Sequence, residues 1–317
     1  MEKKNVVVIG GGTGQSVILR GLKQLDDIRL TTIVTVADDG GSTGRLRKSY
    51  QIPAMGDIRN VLIALSESEP LLTTLMDYRF VGESNEIAGH NLGNLMLTAL
   101  TQTSGGFIQA IADISKVLKI KGEIIPASSQ IITLCALMDD GRVVKGESNI
   151  PKYGRRICEV FYQERVEATS SAVEAILNAD MIIFGIGSLY TSIIPNIVIE
   201  DLRQALLISK ATKVYLCNAM TQRGETDDYR LEDHVEAIEK HLQGSLDLVI
   251  FANDELPDYI LQRYVLEQAY PVHRALQNHP YLIEEKQLLS FNNNLIRHDS
   301  NRIRDIFGEL LTRFGRK

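Results

Sequence analysis

Two glycine-rich stretches and four polar ones hold the residue types that handle phosphate and charge. Gly10-Gly11-Gly12-Thr13-Gly14 follows an apolar run, Val6-Val7-Val8-Ile9. Glycine lets the backbone turn tightly and lets N–H groups approach an anion at a helix N-terminus. Four glycines in five residues exceed what a plain turn needs, so Gly11, Gly12, Thr13 and Gly14 are read as phosphate contacts. The dinucleotide fingerprint requires a third glycine where Gln15 stands, and no Gly-Lys-Ser/Thr follows. No NAD is therefore expected, and no P-loop. Gly185-Ile186-Gly187-Ser188 is a second such loop, where Gly187, Ser188 and then Thr191 suit another phosphate. Ser188 lacks the flanking glycines of a nucleophile elbow, which argues against a serine hydrolase.

Asp38-Asp39-Gly40-Gly41-Ser42-Thr43-Gly44-Arg45-Leu46-Arg47 mixes carboxylates, hydroxyls and arginines in what reads as a charged loop. Carboxylates hold Mg²⁺ and arginines clamp phosphate. Asp38, Asp39 and, further on, Asp57 are thus candidate Mg²⁺ ligands. Ser42, Thr43 and Arg45 are candidate phosphate contacts. The plainer readings are a helix cap with a solvated charged face, or a ribose contact from Asp38. Asp57, in Gly56-Asp57-Ile58-Arg59-Asn60, is equally placed to cap the next helix. His90, in Gly89-His90-Asn91-Leu92-Gly93-Asn94, is a candidate general base near neutral pH, or a hydrogen-bonded structural residue. Asn91 and Asn94 are suited to phosphate or sugar oxygens, or to capping. Asn218 and Thr221 open the last stretch, Asn218 to Thr226, which is dense in amide, hydroxyl and carboxylate groups.

These stretches fall at the ends of strands. The opening reads strand (Val6 to Ile9), loop, helix (Ser16 to Leu25), strand (Leu30 to Val36), the doubly wound pattern. Helices are expected over Ile58–Leu65, Leu92–Thr101 and Phe107–Leu118. A β-hairpin is expected over Ile131–Gly146, with Cys158–Phe161 beside it, an antiparallel insert around residues 123–165. The α/β rhythm then returns, with strands at Met181–Phe184, Val214–Cys217 and Leu246–Phe251. Helices alternate with them at Ala172–Leu177, Ile197–Ile208, Leu231–Leu242 and Asp258–Gln268. A short strand at Asn294–Arg297 and a helix over Asn301–Phe314 end the chain. The expected fold is a Rossmann-like α/β protein, one domain over residues 1–317 with a mostly parallel sheet.

The 317 residues are 44% hydrophobic and 23% charged, an ordinary globular balance. A net charge of -6 disfavours an extended nucleic-acid surface, so no nucleic-acid partner is expected. Cys135, Cys158 and Cys217 are too widely spaced for a zinc or disulfide framework. No apolar run reaches membrane-spanning length, and the N-terminus lacks signal-peptide features, so a cytoplasmic location is expected.

Taken in order, Gly10–Gly14, Ala37–Arg47, Gly56–Asn60, His90–Asn94, Gly187–Pro195 and Asn218–Thr226 resemble the gluconeogenesis factors of bacteria, relatives of the 2-phospho-L-lactate transferases. The run Val36 to Arg47 and the tail Leu295-Ile296-Arg297-His298-Asp299-Ser300 resemble the gluconeogenesis-factor branch in particular. The resemblance implies a nucleotide-diphosphate site formed by the loops at the strand ends. On the transferase side it implies Mg²⁺-dependent transfer, with Asp38 or Asp39, together with Asp57, near metal and phosphates. On the gluconeogenesis-factor side it implies a UDP-N-acetylglucosamine-binding regulator that supports cell shape and wall-precursor supply on gluconeogenic carbon. Tyr264 and Arg297 are then ligand contacts, and Ser300 stands where some relatives carry a threonine open to phosphorylation. A metabolic enzyme partner and a homo-oligomer, a dimer first among the options, are also expected.

Overall fold

Continuous β-branched runs make strands that can be covered on both faces. The computed structural model describes residues 3–67, 69–82, 86–275 and 279–314. Its strands are β1 (Lys4–Gly10), β2 (Ile28–Val34), β3 (Glu123–Pro126), β4 (Leu134–Met138), β5 (Val143–Lys145), β6 (Ile157–Tyr162), β7 (Met181–Phe184), β8 (Thr212–Leu216), β9 (Leu248–Ala252), β10 (Leu282–Lys286), β11 (Leu289–Ser290) and β12 (Arg297–His298). The helices are α1 (Gly12–Leu22), α2 (Gly41–Tyr50), α3 (Gly56–Leu65), α4 (Glu69–Asp77), α5 (Leu92–Thr103), α6 (Phe107–Val117), α7 (Ser170–Leu177), α8 (Ile194–Ile197), α9 (Glu200–Ile208), α10 (Leu231–Leu242), α11 (Asp258–Leu266) and α12 (Ser300–Phe314).

Seven strands form one sheet in the order β10-β9-β8-β7-β1-β2-β3, with every neighbouring pair parallel. Val6, Val8 and Ile9 of β1 and all of Met181–Phe184 in β7 are buried among α1, α8 and the neighbouring strands. The order determines where a ligand can lie. From β1 the chain builds outward through β2 to β3, and from β7 it builds the opposite way to β10. β1 and β7 lie side by side, Val6 against Met181 through Ile9 against Phe184. Their carboxyl-end loops therefore diverge around a crevice, the usual ligand position of open α/β sheets.

The structure corrects several boundaries. Residues 123–126, expected in the insert, are the edge strand β3, parallel to β2; the insert proper is the antiparallel sheet β5-β4-β6. The charged loop at Asp38–Arg47 becomes helix α2 from Gly41 onward, because glycines at 40 and 41 give the chain an extended and then a left-handed residue before the first turn. The single helix expected over Ile197–Ile208 is divided: a π-turn over Leu189–Ile193 runs into the four-residue α8, and α9 starts afresh at Glu200. Asn294 belongs to a 3₁₀ turn, and β12 begins only at Arg297, paired antiparallel with β11. Helix α4 and strands β10 and β11 were not expected. The sequence Leu-Ile-Glu-Glu-Lys of β10 suits a sheet edge, where charge replaces the apolar run of a central strand.

Candidate functional site

The crevice beside β1 and β7 has a volume of about 720 Å³. Thr13, Gly14, Gly187, Ser188, Asn218, Thr221, Tyr264 and Arg297, from five separate stretches of sequence, all line it. Two glycines let the loops meet. A Cβ on Gly14 would run into the Ile186 carbonyl, and Gly187 has φ +153°, which disfavours a side chain. The position that failed the dinucleotide fingerprint has another use. Gln15 is fully buried, and its Nε2 donates to the carbonyls of Val8 and Ile33 and to the Thr32 hydroxyl. It ties β1 to β2 beneath the loop.

Side chains from the β8 loop hold the second glycine loop in place. Asn218 Oδ1 accepts the Gly187 N–H at 3.4 Å, while its Nδ2 donates to the Gly187 carbonyl at 2.8 Å. The Ser188 hydroxyl donates to Gln222 Oε1 at 2.9 Å, and Gln222 Nε2 donates to Glu225 Oε1 at 2.8 Å. Glu225 also accepts the Thr191 hydroxyl and the Tyr190 N–H. Burial pushes the Glu225 carboxyl up to about 7, against these hydrogen bonds. Thr191 is thus engaged with Glu225 and supports the loop from beneath. Thr221 Oγ1 accepts the Tyr270 N–H. The Tyr264 hydroxyl accepts the Ile296 N–H at 2.9 Å and donates to the Ile296 carbonyl at 3.3 Å. That contact fixes the chain one residue before Arg297, which reaches the crevice exposed.

Below the first loop lie the acids. Asp38 Oδ1 accepts the Gly40 N–H at 2.8 Å, and Asp39 Oδ1 accepts the Ser148 N–H at 2.9 Å, joining α2 to the insert. Asp57 accepts the Gly12 N–H, and a Cβ on Gly11 would lie 2.5 Å from its Oδ2. Burial first, and then the charge of Asp38, push Asp57 up to about 7; burial also raises Asp38. Glu147, which no motif signalled, is pushed up to about 8 by burial and by Asp38, Glu225, Asp57 and Asp39. It was invisible in sequence because only the insert's fold brings it to these acids. Among the described residues no group of three or more His, Cys, Asp or Glu could hold a metal ion unaided. Mg²⁺ commonly takes only one or two carboxylates, completing its shell with water and substrate phosphates. The crowded Asp38 and Asp57, beside the Gly11–Gly12 turn, fit that kind of shared site, and the ion would supply charge neutralisation.

The remaining candidates gather elsewhere, around α2 and α5. The Ser42 hydroxyl pairs with His90 Nδ1 at 2.9 Å and receives Asn94 Nδ2 at 3.1 Å. His90 Nδ1 is therefore engaged by Ser42 whichever of the two donates. Burial and then Arg45 and Arg79 lower the His90 pKa, which agrees with a neutral ring. Thr43 hydrogen-bonds Asp38. Arg45 donates to the Ala88 carbonyl and Asn91 to the Asp77 carbonyl. None of Ser42, Thr43, Arg45, His90, Asn91 and Asn94 lines the crevice with Tyr264 and Arg297. Ser300 begins α12, its hydroxyl donating to the Val17 carbonyl of α1 at 3.0 Å.

A parallel sheet with glycine loops converging at its switch point defines a Rossmann-like α/β protein. Residues 6–288 match the family model of 2-phospho-L-lactate transferase CofD, and the chain belongs to that family. It is 44% identical to the gluconeogenesis factor of Bacillus subtilis, over 98% of this chain and 99% of that one. It is 49% identical to the gluconeogenesis factor of Halalkalibacterium halodurans, over 86% of this chain and 84% of that one. The crystal structure of protein BH3568 from Bacillus halodurans superposes with a TM-score of 0.92 at 44% identity, covering 96% of this chain and 99% of that one.

Proposed function

We propose that the protein is a UDP-sugar-binding regulator, with UDP-N-acetylglucosamine as its ligand, that links gluconeogenic growth to wall-precursor supply and cell shape. The observation that carries this reading is the convergence of Gly14, Gly187 and Ser188 with Tyr264 and Arg297 on one crevice. Backbone N–H groups of the two glycine loops would receive the diphosphate. Arg297 supplies a cation at the far rim, and Tyr264 holds its chain in place. Such a role fits a cytoplasmic protein, active as a homodimer with a metabolic enzyme as partner. No helix of the described residues is long and apolar enough to cross a membrane. The test is a thermal-shift and calorimetric comparison of UDP-N-acetylglucosamine, GDP and NAD. The first should bind tightest and raise the melting temperature; preference for GDP or NAD overturns the reading.

A second reading, Mg²⁺-dependent transfer from a nucleotide diphosphate, is favoured by one specific observation. Asp38 and Asp57 lie half-buried together, Asp57 against the turn that would receive phosphate. In that reading they would hold Mg²⁺, and His90, bonded to Ser42 through Nδ1, would be the base. Phosphorus NMR across a nucleotide panel, with and without Mg²⁺, separates the two: consumed ligand supports transfer, and ligand bound but unchanged supports the regulator.

A further inference from the structure

A second cavity lies apart from the crevice. It has a volume of about 860 Å³ and lies between the insert and the chain after β8, with Lys152, Arg155 and Arg156 on one wall and Arg223 on the other. That volume is within the range of small-molecule sites. The two walls are far apart in sequence, and one glycine brings them together. Gly224 has φ +81° and packs directly on the Pro151 carbonyl, so any Cβ there would collide. Arg223 and Lys152, which flank this contact, face one cavity as a result.

Cations and acids both line the cavity, but they are not equally engaged. The Asp227 carboxylate accepts the Gly224 N–H at 2.7 Å, and Asp233 accepts the Arg230 N–H at 2.7 Å. Asp228 is exposed at the rim. Arg156 lies over the Tyr229 ring at 5.7 Å, and Arg155 approaches Asp139 only to 3.9 Å. Lys152 and Arg223 have no hydrogen-bond or ion-pair partner among the described residues. Lys152 and Arg223 are thus two cations free to meet an anion from opposite walls, and a third is presented on an aromatic face. Of the four lining acids, Asp227 and Asp233 are held by backbone N–H groups and Glu225 by Thr191, Tyr190 and Gln222, which leaves Asp228 at the rim.

We propose that this cavity is a second ligand site, for a small phosphorylated or polycarboxylate metabolite. It is separate from the nucleotide crevice and shares with it only the Arg223 wall. Arg223 lines both cavities. The Gln222–Glu225 segment beside it carries the hydrogen bonds to Ser188, Tyr190 and Thr191. An anion drawing Arg223 toward the insert would therefore act on the loop that holds Ser188. The site itself stands whether or not the crevice takes a UDP-sugar; only this coupling rests on that reading.

The test uses the full chain and two probes. Crystals soaked in selenate locate oxyanions by the anomalous signal of selenium. A peak between Lys152 and Arg223 that disappears in Lys152→Glu/Arg155→Glu supports the proposal. No peak there, a peak only at the Gly10–Gly14 loop, or a peak that survives the double variant (an adventitious ion only) overturns it. Equilibrium dialysis with radiolabelled inorganic phosphate should show binding about tenfold weaker in the double variant. Saturating UDP-N-acetylglucosamine should leave bound phosphate in place; complete displacement by the nucleotide overturns a separate site. Failure of the nucleotide to bind at all, with the selenate peak present, counts against the UDP-sugar reading and not against this one.

Discussion

Asn218 grips Gly187 through both of its backbone polar atoms, accepting its N–H and donating to its carbonyl. The second glycine loop is thus positioned by a side chain from the neighbouring strand end. Asn218→Ala removes both bonds at a partly exposed loop, so the fold should persist while the loop loses its set orientation. Nucleotide affinity should fall about tenfold or more, measured by calorimetry, with the melting temperature of the free protein little changed. Unchanged affinity would mean that the loop does not contact the ligand.

Gly14→Ala tests the approach of the two loops. Its methyl would meet the Ile186 carbonyl, a backbone atom that cannot rotate away. The expected cost is about 1–3 kcal/mol in urea unfolding, together with weakened nucleotide binding. Gly12→Val and Gly187→Val should abolish binding in proteins that remain folded: Gly187 lines the crevice, Gly12 opens the turn that leads to Gly14, and at either loop the added methyls would push a phosphate off the backbone N–H groups. Full affinity in both valine variants would reduce these loops to turns.

Tyr264→Phe separates positioning from contact. The ring stays, but the bonds to the Ile296 N–H and carbonyl go. If Tyr264 acts by placing Arg297, the phenylalanine variant should lose affinity nearly as far as Arg297→Ala, and the double variant should lose little more. Fully additive losses in calorimetry would mean that the two act independently.

The acid cluster predicts an unusual pH profile. Asp57 is raised from 3.8 to about 7, so the folded protein retains a proton that the unfolded chain has already released. Its contribution is present below pH 4 and is lost as pH rises toward 7; Glu225 and Glu147, raised to about 7 and about 8, act in the same direction. Asp57→Asn keeps an acceptor for the Gly12 N–H and removes the charge. It should therefore gain roughly 1–2 kcal/mol on wild type between pH 5 and pH 8 in denaturant melts. A constant difference across that range would show that Asp57 titrates normally. Mg²⁺ that binds the ionised pair should narrow the gap at pH 8.

Asp57→Asn also bears on chemistry. If Mg²⁺-dependent turnover exists, the variant should lose it while nucleotide affinity changes much less, since the metal acts chiefly on charge that develops in the transition state. Phosphorus NMR of wild type and variant reads this directly. A regulator shows no turnover in either.

The local chemistry of the chain was enough to place its glycine loops at strand ends. Glycines after Val6–Ile9 and Met181–Phe184 mark turns at strand ends whatever the rest of the fold does, because only glycine takes those backbone angles cheaply. The parallel sheet was legible for the same reason: runs buried on both faces carry no polar alternation. The meeting of these loops was not legible, since the switch point between β1 and β7 depends on strand order, which no local pattern encodes. Nor were the supports. Asn218, Gln222 and Glu225 read as a polar loop until the β8 strand end is laid beside Gly187 and Ser188. Ser42 and Asn94 read in sequence as phosphate contacts, Asn94 also as a cap, and His90 as a base or a structural residue; that the three hydrogen-bond one another is visible only in the structure. A side chain's type limits which partners it can satisfy, but burial and distance choose among them, and both belong to the tertiary structure. Glu147 and the Lys152–Arg223 cavity are the clearest cases, brought to their neighbours only by the packing of the insert against the loop after β8.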